Sequence, residues 1–130
     1  MFGTKKVAVA YGGFESVLAN ASKGDLVYFD PPYAPLSDTA NFTSYTASGF
    51  SDRHQHQLQQ VVIELANRGC HVIVSNSTAP IITQLYEANR AARAADLRAH
   101  RVSARRAINS RADRRGDVDE FIISNVTPAE

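Results

Sequence analysis

Asp25-Leu26-Val27-Tyr28-Phe29-Asp30-Pro31-Pro32-Tyr33 is the stretch whose reading decides the fold. Leu26 to Phe29 is a continuous apolar run of the kind seen in strands covered on both faces. It ends abruptly at a carboxylate, two ring-locked residues and an aromatic. Proline fixes φ and cannot continue a ladder, so the chain must turn at Pro31. A carboxylate, a rigid turn and a flat ring therefore stand together at the exit of a buried strand.

Working outward, the chain alternates. Val7 to Tyr11 is β-prone and ends at Gly12-Gly13, and Phe14 to Ala21 can form a short helix. Beyond the turn, residues 34–50 are rich in Ser, Thr, Ala and Asn, with Phe42, Tyr45 and Phe50 interleaved: a long loop of the functional kind. Ser51 is a good N-cap and Asp52 suits a first turn. Leu58, Val61, Val62, Leu65 and Ala66 share one helical face, and Gly69 supplies the stop. His71 to Ser75 reads as a strand, and Asn76-Ser77-Thr78 as a polar turn. Pro80 opens a helix carrying Ile81, Ile82, Leu85 and Ala92 inward. Leu97 to Ala104 and Phe121 to Ser124 read as the last two strands, separated by a polar, arginine-rich stretch, Ser110 to Gly116. Strand and helix in this alternation make an α/β fold with a mostly parallel sheet. Ligands of such sheets sit outside the carboxyl ends of the strands. Both the Asp30 turn and Ser75-Asn76 fall there.

The length, 130 residues, makes one domain, spanning 1–130, with enough chain to bury a core. The single cysteine, Cys70, excludes an internal disulfide and fits a reducing compartment as a buried, inert thiol. No stretch approaches the roughly 18 apolar residues a membrane span needs. The N-terminus lacks the apolar core of a signal peptide, so the expected location is cytoplasmic. His54-x-His56 points to two faces of a helix and has no acidic or cysteine partner at ligand spacing, so no metal site is expected. The net charge of +1 conceals an asymmetry: residues 90–115 hold nine arginines against two aspartates. Such a block is the electrostatic footprint of a phosphate-bearing partner, or else a solvated face.

The turn has a chemistry of its own. The exocyclic amine of a nucleobase is a poor nucleophile because its lone pair is delocalised into the ring. Two acceptors aimed at its hydrogens draw the nitrogen toward tetrahedral geometry. Asp30 offers a carboxylate for this, and Pro31 a backbone carbonyl whose direction the proline rings fix. Tyr33 offers a face for stacking, worth roughly 1–3 kcal/mol per base. A base inside a duplex must first be flipped out to reach such a pocket.

The block from Asp25 to Tyr33, with Pro35-Leu36-Ser37, Asn41-Phe42-Thr43, Tyr45 and Gly49-Phe50 behind it, resembles the Dam-type (D12 class) adenine-specific DNA methyltransferases. Val72-Ile73-Val74-Ser75-Asn76 resembles that family's next strand. Arg105-Arg106-Ala107-Ile108-Asn109-Ser110, Arg114-Arg115-Gly116 and Asp119-Glu120-Phe121-Ile122-Ile123-Ser124-Asn125 resemble its C-terminal block. The resemblance implies a partial Rossmann-like, S-adenosylmethionine-dependent methyltransferase fold with an antiparallel C-terminal strand. It implies catalytic roles for Asp30, Pro31, Pro32 and Tyr33, with Asp30 also touching S-adenosylmethionine and Phe14 near the cofactor's adenine ring. DNA is the implied partner, met by Tyr33, Arg105, Arg106, Asn109, Arg111, Arg114 and Arg115.

The sequence also departs from that family. Its members carry an N-terminal Phe-x-Gly-x-Gly loop that cradles the cofactor, a ribose-holding acid further on, and a target-recognition domain before the turn. Here no two of the seven glycines are spaced Gly-x-Gly. The chain thus resembles the C-terminal half of a methyltransferase domain. The expected partners include an N-terminal fragment, or a second copy pairing through an exposed Leu26–Phe29 edge. A non-catalytic remnant with residual nucleic-acid binding, and an amino-methyltransferase acting on RNA or protein, are the competing readings.

Overall fold

A computed structural model describes residues 14–36, 50–104 and 118–126. The elements run α1 (Phe14–Asn20), β1 (Leu26–Phe29), α2 (Asp52–Arg68), β2 (His71–Ser77) and α3 (Pro80–Ile82). A π-helical turn (Thr83–Glu87), α4 (Arg90–Ala94), β3 (Arg98–Ala104) and β4 (Val118–Ser124) complete them. The four strands form one sheet in the order β1-β2-β4-β3. β1 and β2 are parallel, with Leu26 opposite His71 and Phe29 opposite Val74. β4 runs against both of its neighbours, pairing Ser77 with Glu120 and Ala104 with Val118. Three strands therefore share one direction and β4 opposes them, as the mostly parallel sheet with an antiparallel C-terminal strand requires. Among the described residues β1 pairs with β2 alone.

The core lies between this sheet and the helices. Val27, Phe29, Val72, Val74, Phe121 and Ile123 are fully buried from the sheet, and Leu58, Val62 and Leu65 from α2. Fully burying a side chain of this size contributes about 1.5–3 kcal/mol. In β1 only alternate residues are fully buried: Leu26 and Tyr28 are half-buried, so one face is closed and the other partly open. α2 ends as expected at Gly69, whose φ of +102° lets its N–H and that of Cys70 turn back onto the last carbonyls. At its start His54 Nδ1 accepts the Ser51 backbone N–H at 3.0 Å and the imidazole stacks on Phe50, which gives that histidine a capping task. Cys70 is buried and its Sγ donates to the Ser22 carbonyl. No helix among the described residues is long and apolar enough to cross a membrane.

Two expectations are corrected. Asn76-Ser77 is not a turn: both residues extend β2, because β4 supplies a ladder partner for each, Phe121 and Glu120. The helix opened by Pro80 is not continuous. Its second turn is π-helical, and Asn89 begins a new helix by accepting the Ala92 N–H at 2.9 Å. Gln59, reaching across from α2, donates to the Leu85 carbonyl at 2.8 Å. Ile82, Leu85 and Ala92 are still buried, whereas Ile81 is only partly so. β3 is fastened from its outer side by Arg101, which pairs with Glu87 at 2.7 Å and lies 4.7 Å over the Phe121 ring.

Candidate active site

Asp30 follows the last residue of β1 directly and is exposed at the carboxyl edge of the sheet. Ser75, in the adjacent strand, donates its Oγ–H to Asp30 Oδ1 at 3.1 Å. Its proton committed there, Ser75 Oγ can only accept from the Tyr28 hydroxyl, 3.4 Å away and so a weak contact. A short hydroxyl chain, Tyr28 to Ser75 to Asp30, thus orients the carboxylate and engages one of its two oxygens.

The turn itself is clamped from below by buried amides. Gln55 Nε2 donates to the Pro32 carbonyl at 3.0 Å, and Gln55 Oε1 accepts from Asn76 Nδ2 at 3.1 Å. Asn76 Oδ1 accepts the Ala34 N–H at 2.9 Å, and Ser77 Oγ donates to the Ala34 carbonyl at 2.6 Å. Gln55, Asn76 and Ser77 are all buried, and no buried side-chain nitrogen or oxygen among the described residues lacks a partner. A fully satisfied polar network in a low-dielectric interior holds its members to one arrangement. Pro32 has its carbonyl occupied; no backbone or side-chain donor among the described residues takes that of Pro31.

Tyr33 is half-buried, and its hydroxyl donates to Glu120 Oε1 at 3.2 Å. Burial raises its pKa above the ordinary tyrosine value, and the negative charges of Glu120 and Asp30 push it further up.

Of the residues expected at the site, Asp30, Pro31, Pro32 and Tyr33 stand together at one strand edge. The Phe14 side chain lies outside the described residues, as do Arg105, Arg106, Asn109, Arg111, Arg114 and Arg115. The segment that holds these arginines starts after Ala104 and ends before Val118, which are register partners at the same edge as Asp30. The arginine block is divided by the fold: Arg90, Arg93 and Arg98 lie before or at the start of β3, at the opposite end of the sheet.

Sequence reasoning placed Ser75 and Asn76 at this edge without giving them a task, and left out four further residues that build the site: Tyr28, Gln55, Ser77 and Glu120. Tyr28 reads as core, yet its hydroxyl faces Ser75. For Gln55 the signal was present. It lies three residues before Leu58, on the apolar face of α2, where an amide has no reason to be unless it meets a buried partner.

Comparisons with known proteins identify the family. The sequence profile of the D12 class N6 adenine-specific DNA methyltransferases matches residues 2–108. The type II methyltransferase M1.LlaDCHI of Lactococcus lactis subsp. cremoris is 38% identical over 119 residues, covering 92% of this chain and 39% of that protein. The type II methyltransferase M.MjaIII of Methanocaldococcus jannaschii is 37% identical over 123 residues, covering 93% and 40%. The DNA adenine methylase of Escherichia coli K12 is 37% identical over 105 residues, covering 81% and 35%. The chain spans two fifths or less of the length of these curated relatives. A profile match that takes in the Asp30 turn, the α2 clamp and the whole of β2 makes this chain a member of the D12 class of N6 adenine-specific DNA methyltransferases.

Proposed function

We propose that this chain carries the base-gripping part of a DNA adenine methyltransferase, which transfers a methyl group from S-adenosylmethionine to the exocyclic amine of adenine. The observation that carries the reading is the Asp30 carboxylate, exposed at the strand end with one oxygen engaged by Ser75 and the other left for an amine hydrogen. The Pro31 carbonyl is the second acceptor. Gln55 supports this division by occupying the neighbouring Pro32 carbonyl. Two acceptors on one amine localise the nitrogen lone pair and make it a nucleophile, and Tyr33 presents the stacking face.

S-adenosylmethionine, when bound, supplies the methyl group. The described residues fit the amine of the base, and of them Asp30 would also touch the cofactor. The arginines between Ala104 and Val118 carry the charge that a phosphate backbone would meet. Affinity for duplex DNA should then fall steeply with salt, and a flat salt response would rule that contact out.

The test is tritium transfer from labelled S-adenosylmethionine by the full chain. Incorporation is expected into an adenine-containing duplex, not into one of only dG and dC, and should vanish in Asp30→Ala. Equal incorporation by Asp30→Ala would refute the role of Asp30. Absence of incorporation by the unaltered chain would refute turnover by this chain alone.

A further inference from the structure

Glu120 has no task in the grip described above. It sits in β4, opposite Ser77 on one side and Val102 on the other, at the edge where the turn lies. Its Oε1 accepts the Tyr33 hydroxyl across 87 residues of sequence. A carboxylate can only accept, so the phenol has to donate, and the charge strengthens the bond.

The consequence is mechanical. Tyr33 is held at its backbone end by the turn, which Asn76 and Ser77 fix through Ala34. A tyrosine fixed only there still rotates about two side-chain torsions. Fixing the hydroxyl as well restrains the first torsion, and because a phenolic O–H prefers to lie in the plane of its ring, the direction of the bond to Glu120 also biases the second before any base arrives. Stacking needs that plane, and a platform ordered in advance spares the ordering loss on binding.

We propose that Glu120 is the positioning residue for base capture: by accepting the Tyr33 hydroxyl it holds the ring in the plane on which a flipped-out adenine stacks. This rests on the reading of Tyr33 as the stacking face. It gives β4 a part in the site and not only in the sheet.

The probe is a single-stranded thymidine oligonucleotide carrying one 2-aminopurine, whose fluorescence falls when the base stacks. It needs neither a recognition sequence nor base flipping. Tyr33→Phe and Glu120→Ala should each weaken quenching affinity roughly 3- to 10-fold, the loss of one hydrogen bond. The double variant should be no weaker than either single, because both remove the same contact. Glu120→Gln, which keeps an acceptor, should stay close to the unaltered chain. Glu120→Ala behaving as the unaltered chain, or the two single losses multiplying in the double variant, would overturn the proposal.

Two controls separate causes. Tyr33→Ala quenching as well as the unaltered chain would sink the stacking reading and the proposal with it; a large loss in Tyr33→Ala with none in Glu120→Ala would sink the proposal alone. The carbon-13 resonance of the Tyr33 phenol carbon, assigned with Tyr33→Phe, should titrate at lower pH in Glu120→Ala. An unchanged titration would show that the two side chains do not meet in solution and overturn the proposal independently of any ligand.

Discussion

Asn76 of β2 and Gln55 of α2 share a buried hydrogen bond of 3.1 Å, and through it the sheet and the helix hold the turn between them. Gln55 passes the hold to the Pro32 carbonyl, Asn76 to the Ala34 N–H. Asn76→Ala strands both the Gln55 amide and the Ala34 N–H in a buried place. A stranded buried group costs about 1–3 kcal/mol. The urea midpoint of Asn76→Ala should fall accordingly, whereas Asp30→Ala, at an exposed site, should stay within about 0.5 kcal/mol. Equal stability of Asn76→Ala and the unaltered chain would mean the clamp does not hold the turn.

Gly69 closes α2 with φ of +102°, and a Cβ built there would come within 2.8 Å of Lys23 Cγ. The lysine stem can move; the backbone angle cannot. Gly69→Ala should therefore lower stability by about 1–2 kcal/mol, the penalty for a side chain in the left-handed region. Thermal unfolding with an unchanged midpoint would show that the helix end relaxes into another geometry.

Asp96 is the opposite case. It is a non-glycine residue at φ of +68°, where α4 ends with the Leu97 N–H turned back onto the Ala92 carbonyl. Its ion pair with Arg98 spans 3.9 Å at the surface and contributes little. Asp96→Gly should raise stability by a few tenths to about 1 kcal/mol, since glycine carries no Cβ penalty there. A clear loss would show that the surface pair outweighs the strain.

Alkaline pH should weaken the fold. Tyr33, Cys70 and Tyr86 are all shifted upward, each chiefly by burial, with Asp25 adding to the shift at Cys70 and Arg68 opposing it. Such groups bind their protons more tightly when folded. Their stabilisation is complete below the unfolded-state values and is lost as pH rises through the folded ones. The urea midpoint should thus be lower at about pH 10.5 than at pH 7, and Tyr86→Phe, which removes the most deeply buried hydroxyl, should flatten much of that difference. A midpoint independent of pH over that range would contradict these shifts.

Much of this was legible in the sequence wherever local signals agreed with one another. For α2, the apolar spacing from Leu58 to Ala66, Ser51 in front and Gly69 behind all say the same thing, and the helix runs Asp52–Arg68. β1 and the Asp30 turn were legible because a strand and two prolines leave the backbone one option. The misreadings share a cause. Asn76 and Ser77 favour turns locally, and become strand because β4, more than forty residues later in the chain, pairs with them. Glu120 could not be found from the sequence for the same reason: nothing near it announces that a tyrosine 87 positions earlier will reach its carboxylate. Local chemistry placed the Asp30 turn; the side chains that hold it come from tertiary pairing.

The register of Ala104 with Val118 has an evolutionary consequence. Facing residues of an antiparallel pair are only about 5 Å apart, so very different lengths of chain can join them. Lengthening such a connection is cheap, about 0.6 kcal/mol for each doubling. Chain of very different lengths can therefore join Ala104 to Val118 without disturbing the ladder that places Glu120. Descendants of one ancestral scaffold can differ in length between these two positions while inheriting the Tyr33–Glu120 pairing unchanged.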